Sequence, residues 1–166
     1  MLSACFVSAP PPAGAQSSGG KRYIQHEEVA TQVFNWGFRV HSVDVFSDRS
    51  MRVNLVVTNT GQRSASLAVM DLNYIYLVAD GSNERVPARG RPEGISRSTA
   101  DMGTPGGFVF RFAPDDPTRI AFRFPPFEEQ ARTVRLVINR NAFAGSLSDS
   151  PPSDFVIRNI ALFARP

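Results

Sequence analysis

The 166 residues suffice for one well-buried domain but not for two, and no apolar stretch reaches the roughly 20 residues that a membrane-crossing helix needs. The formal charge of +3 rests almost wholly on arginine, Lys21 being the single lysine among 18 basic residues. These are spread along the chain without interleaved aromatics, so nucleic acid is not an expected partner.

Residues 1–20, MLSACFVSAPPPAGAQSSGG, lack the apolar content to build a core. Two processing signals overlap in them. Leu2-Ser3-Ala4-Cys5 has the form of a lipobox, in which Cys5 is acylated and becomes the new amino terminus; Ala13-Gly14-Ala15 has the small-x-small form of an ordinary signal-peptidase site. A basic segment ahead of the apolar start is missing. Either signal implies export, to the periplasm or the outer cell surface, with lipid on Cys5 or a cleaved peptide as the alternatives. Cys5 is the only cysteine, so the domain expected over 21–166 has no internal disulfide.

Lys21 to Thr31 reads as one helical turn or an edge strand. From Phe34 a period of two sets in: Phe34, Trp36, Phe38 and Val40 alternate with Asn35, Gly37, Arg39 and His41, the mark of a half-buried strand. The apolar phase then slips to Val43 and Val45, which predicts a bulge at His41-Ser42, since a one-residue slip otherwise sends apolar side chains to the wrong face. Trp36 is the expected core anchor. Ser47-Asp48-Arg49-Ser50 is a turn.

Arg52 to Asp80 reads as two paired strands, Val53, Leu55 and Val57 on one face of the first and Leu72, Tyr74, Tyr76 and Val78 on one face of the second. Asn59-Thr60-Gly61 would supply left-handed turn geometry between them. Val86 to Pro105, with three Pro and three Gly, is a surface excursion or holds a short edge strand. Alternation resumes in Phe108–Phe112, Ile120–Phe124 and Val134–Ile138. Residues 139–153 form a polar connection, and Asp154 to Phe163 is a last strand. The expected fold is all-β, an antiparallel two-sheet immunoglobulin-like sandwich of about seven to nine strands.

Val53-Asn54-Leu55-Val56-Val57-Thr58-Asn59-Thr60-Gly61, Tyr76-Leu77-Val78-Ala79-Asp80-Gly81, the Thr104-Pro105-Gly106 turn and Ile120-Ala121-Phe122-Arg123-Phe124 resemble bacterial exported immunoglobulin-like domains of the telokin-like or immunoprotective extracellular type, commonly carried on lipoproteins. The resemblance spans about Phe34 to Ile138. The disulfide and Cys-Trp-Cys spacing of antibody-type domains are absent. It implies a noncatalytic accessory or recognition domain and transfers no functional residues.

Catalytic patterns are poorly represented. Only His26 and His41 are available to activate a nucleophile, and there is no G-x-S-x-G elbow. Two separated His and one amino-terminal Cys do not make a zinc or copper site. The acids fall mainly in turns, and neither Asp115-Asp116 nor Asp80-Asn83-Glu84 has a calcium-loop pattern. Gly106-Gly107 lacks phosphate-loop neighbours. No metal, cofactor or enzymatic activity is therefore expected.

One positive expectation remains. If Phe108–Phe112, Ile120–Phe124 and Val134–Ile138 bury their apolar sides and lie together, Arg111, Arg123 and Arg135 form an outward stripe for carboxylate or phosphate groups. The expected partner is an envelope protein or surface polymer. The alternative is a carbohydrate-binding accessory sandwich that reads sugars through exposed Trp36, Tyr74 and Tyr76.

Overall fold

The computed structural model describes residues 20–25, 29–33, 35–69, 71–94, 99–100, 108–145 and 154–163, among which there is no α-helix. Fourteen strands follow in chain order: β1 (Lys21–Ile24), β2 (Ala30–Val33), β3 (Trp36–Val45), β4 (Met51–Asn59), β5 (Ala65–Val69), β6 (Ile75–Ala79), β7 (Arg85–Pro87), β8 (Arg89–Gly94), β9 (Thr99–Ala100), β10 (Phe108–Phe112), β11 (Thr118–Phe124), β12 (Thr133–Ile138), β13 (Phe143–Gly145) and β14 (Phe155–Ala161). They form three antiparallel hydrogen-bonded sheets, ordered β1-β3-β4-β11-β8 with β2 also on β3, β13-β5-β10-β9, and β14-β12-β6-β7. The count exceeds seven to nine because several runs break in mid-course.

The first break is at the amino-terminal edge. β1 pairs with the second half of β3 and β2 with the first half. At the join, the Gln25 amide donates to the His41 carbonyl and the Val40 amide to the Val29 carbonyl, both at 3.0 Å. The edge-strand reading of the lead-in is the one realised. The β3–β4 register jumps between Val40 and Ser42, the bulge that the slipped alternation predicts. Val40 and Val43 thereby both reach the core.

The Arg52 to Asp80 reading needs correction. β4 is flanked by β3 and β11, and the strand after it, β5, joins β10 and β13 in another sheet. Asn59 does not adopt left-handed geometry. It ends β4 buried, its side-chain oxygen accepting from the Gly61 amide at 3.0 Å and its side-chain nitrogen donating to the Arg63 carbonyl at 2.7 Å, an Asx turn. Further on, Asp71 accepts from the Asn73 amide and caps a 3-10 turn over Leu72–Tyr74. β6 therefore starts at Ile75, and Ile75, Leu77 and Ala79, not Tyr74 and Tyr76, face the core.

The second and third sheets are continuous in chain path. β5 leads through the 3-10 turn at Leu72–Tyr74 into β6, and β12 leads through another at Arg140–Ala142 into β13. The β6–β12 and β5–β13 ladders lie on either side of these turns, which are joined by the Asn139 amide donating to the Tyr74 carbonyl at 2.9 Å. One long strand pair thus breaks at a matched position. The Val86 to Pro105 stretch contributes three edge strands: β7 on β6, β8 on β11 after crossing at buried Ala88, and β9 on β10.

All three sheets share one apolar interior, in which Val53, Leu55, Phe122 and Leu136 are each within 1% of full burial. Trp36 stacks edge-to-face on Phe112 at 5.1 Å, and Phe38 lies 4.9 Å from Phe155. The third sheet is also tied polar-wise to the first. The Gln25 side chain mimics a peptide group, donating to the Ala161 carbonyl at 2.9 Å and accepting from the Ala161 amide at 3.0 Å, which satisfies the β14 edge.

Two outcomes follow for chemical denaturation. Trp36→Ala is expected to cost about 3–5 kcal/mol, the range for emptying a buried aromatic site. Gln25→Ala is expected to cost about 1–3 kcal/mol, because it strands both Ala161 backbone groups against β1; a loss below a few tenths of that would show that water replaces the amide.

Candidate functional site

The pleat sorts the first sheet into an apolar inner face and an outer face rich in arginine. Directly opposed residues run across it in rows. Arg22, Asp44, Arg52, Arg123 and Arg89 form one row, across β1, β3, β4, β11 and β8. Ile24, Ser42, Asn54, Ala121 and Glu93 form the next, and Ala30, Arg39, Val56 and Arg119 a third. His41 is the extra residue of the bulge between the second and third rows.

The first row is largely ion-paired, through Asp44 within it and Glu93 of the next, Arg89 at its β8 end having no carboxylate on it among the described residues. Asp44, whose side chain is 4% exposed, accepts from Arg22 Nε at 2.6 Å, from Arg52 Nε at 2.8 Å and from Asn54 Nδ2 at 3.1 Å, and Arg52 Nη2 lies 2.7 Å from it. Arg52 Nη1 continues to Glu93 at 3.1 Å, and Glu93 accepts from Arg123 Nη2 at 2.7 Å. An alternating ionic chain, Arg22–Asp44–Arg52–Glu93–Arg123, thus links five of the sheet's six strands. Burial on its own would raise the Asp44 carboxyl; hydrogen bonds from Arg22, Arg52 and Asn54 and the Arg52 charge outweigh it and hold the group at about 2.

The third row is not neutralised. Among the described residues neither Arg39 nor Arg119 has a carboxylate within ion-pairing distance, and Val56 between them is 8% exposed although it points away from the core. His41 senses both: partial burial first, then the charges of Arg119, Arg39 and Arg22, lower its pKa below the usual imidazole value. Six arginines stand on this face against two carboxylates in the three rows.

The expected Arg111, Arg123 and Arg135 stripe does not assemble this way. The three lie on β10, β11 and β12, which belong to three different sheets and do not pair with one another. Succession along the chain is not adjacency here, because the path leaves one sheet for the next at each connection. Arg123 is instead held by Glu93. Cys5 and His26 lie outside the described residues.

The aromatics bear on the sugar-binding alternative. Trp36 is buried, Tyr76 is half-buried with the Arg85 guanidinium 5.2 Å from its ring centre, and Tyr74 is exposed on the 3-10 turn. They do not make an exposed coplanar set. Among the described residues no three His, Cys, Asp or Glu side chains come together as metal ligands would.

Away from that face, a pocket of about 240 Å³ is lined by Val45, Met51, Phe127, Leu162 and Phe163 together with Arg49, Glu129 and Gln130. Arg49, in the left-handed region at φ 66°, donates to the Phe127 carbonyl at 2.6 Å and so ties the β3–β4 turn to the segment after β11. That guanidinium is engaged in structure.

No protein-family model and no curated protein matches the chain. Among solved structures it is similar to one described as the crystal structure of a functionally unknown protein from Listeria monocytogenes EGD-e, with a TM-score of 0.47 and 8% identity over 86% of this chain and 89% of that chain.

The Asp44 site sets an acid limit. Because its folded pKa lies below the ordinary carboxyl value of 3.8, its contribution is complete above about pH 4 and is lost as pH falls towards 2. Asp44→Asn is expected to cost about 2 kcal/mol at pH 7 and to flatten the fall in stability between pH 4 and 2; an unchanged acid transition would remove Asp44 from that role.

Proposed function

We propose that the protein is a noncatalytic, exported, envelope-associated recognition module built on a two-layer immunoglobulin-like sandwich, with an anionic surface polymer as its partner. The six-stranded first sheet is one layer. The β5–β6 and β12–β13 pair, bent at its two 3-10 turns and carrying β14, β7, β10 and β9, is the other.

The observation that carries the reading is the outer face of the first sheet, where arginines outnumber carboxylates and stand on a rigid paired framework. A preorganised cationic face loses little side-chain and backbone freedom when an extended anion lies along it. The scaffold-for-protein version has no comparable feature to rest on. The sugar-binding version would want flat exposed rings, and Trp36 is in the core. Export follows from the two processing signals in residues 1–20, and anchoring from Cys5.

Two measurements test this. The full chain expressed in a bacterial host is expected in the envelope fraction, with mass spectrometry finding acyl chains on Cys5 or a new terminus after Ala15; an intact chain in the cytosol defeats export. Purified protein is expected to sediment with isolated cell-wall polymer at low salt and to be released as ionic strength rises past about 0.15 M, where screening shortens to roughly 8 Å. Sedimentation that salt does not weaken would turn the reading away from charge recognition.

A further inference from the structure

The outer face of the first sheet is divided. In the Asp44 row each of Arg22, Arg52 and Arg123 has a carboxylate on it. In the Val56 row, two strands' width brings Arg39 of β3 and Arg119 of β11 to either side of a single apolar residue. Their Cα atoms are separated by two inter-strand spacings, roughly 10 Å, which two arginine stems span easily. Both forks can close on one group above Val56. The bulge adds the His41 imidazole as a further donor beside them.

We propose that Arg39 and Arg119, flanking Val56 on the outer face of the first sheet, bind a single doubly charged phosphate monoester carried on an extended polymer. The inference rests on the recognition reading above and narrows it to one site and one chemical class. Two guanidinium forks with no ion pair among the described residues, on positions from which both can reach one point, match a tetrahedral dianion, which offers acceptor oxygens to both at once. A lone carboxylate can bridge two guanidinium groups, as Asp44 does between Arg22 and Arg52, but it brings one negative charge against two positive ones, whereas a dianion balances both. A planar anionic membrane suits this face less well, because it would press on Glu93, 40% exposed in the adjoining row. A discrete group on a flexible carrier reaches the third row without meeting that carboxylate.

The test is a nuclear magnetic resonance titration of the full chain with inorganic sulfate, which stays doubly charged across the working pH range, at constant ionic strength set with chloride. Saturable shifts are expected at the amides of Arg39, His41, Val56 and Arg119. Arg39→Gln and Arg119→Gln should each weaken sulfate about tenfold, the loss of one charge-assisted contact. Arg123→Gln, which removes an arginine already held by Glu93, should leave affinity within about twofold. Each variant is compared with the parent by its denaturation midpoint, so that a folding defect is seen as such. Shifts that do not saturate, or an Arg123→Gln loss equal to that of Arg39→Gln, overturn the site.

Two further arms separate the sources. Sedimentation with vesicles of anionic phospholipid that survives Arg39→Gln and Arg119→Gln overturns the assignment in favour of a membrane. Sedimentation with cell-wall polymer that survives both substitutions sinks this site while leaving the recognition reading standing. Sulfate binding that needs both arginines, with no polymer sedimentation, sinks the recognition reading and leaves the site.

Discussion

β4 is hydrogen-bonded along its whole length to β3 on one side and along most of it to β11 on the other, and every other feature of the molecule depends on that double pairing. A strand pinned on both edges cannot slide by one residue without sending Val53, Leu55 and Val57 into water and Arg52 and Asn54 into the core. The cost of that inversion is far larger than any surface term. The inner face is consequently a continuous apolar wall, and the outer face inherits its rows of residues from the same register, to which the ion pairs of Asp44 and Glu93 add.

The bulge in β3 is where that constraint is relaxed and put to use. An unbulged strand would carry Val43 outward if Val40 pointed inward; the extra residue restores the phase and leaves His41 displaced on the outer side. The partner edge accommodates it by breaking into β1 and β2, with Gln25 and Val29 bonding to either side of the gap. Gln25 then turns its own amide to β14. One insertion therefore connects the shape of the arginine face to the contact between two sheets.

Electrostatics on the outer face are graded in the same geometry. Where Asp44 sinks between Arg22 and Arg52, the charges are mutually satisfied and the group remains ionised to strongly acidic pH. Where no carboxylate among the described residues enters the row, burial and then the charges of Arg119 and Arg39 lower the pKa of the neighbouring His41 imidazole. The first arrangement holds strands together, and the second leaves two arginines with no ion pair among the described residues. A surface of scattered arginines in the sequence thus becomes one ion-paired zone and one that is not.

The sequence by itself determined what depends on nearest neighbours along the chain: the two-residue period of the strands, the slip at His41-Ser42, the turn around Asp48, and Trp36 as a core residue. Those are local properties of pleat and turn, expressed wherever the strand is placed. It misplaced Tyr74 and Tyr76 because the Asp71 cap shifts the start of β6, a side-chain to backbone contact that alternation does not report. Only the tertiary structure decided which arginines are neighbours. Arg111, Arg123 and Arg135 look equivalent in successive strands yet fall in three sheets, whereas Arg39 and Arg119, remote in sequence, meet across β4. Strand partners are chosen by how all the apolar faces close on one interior, and that choice is made by the whole chain at once.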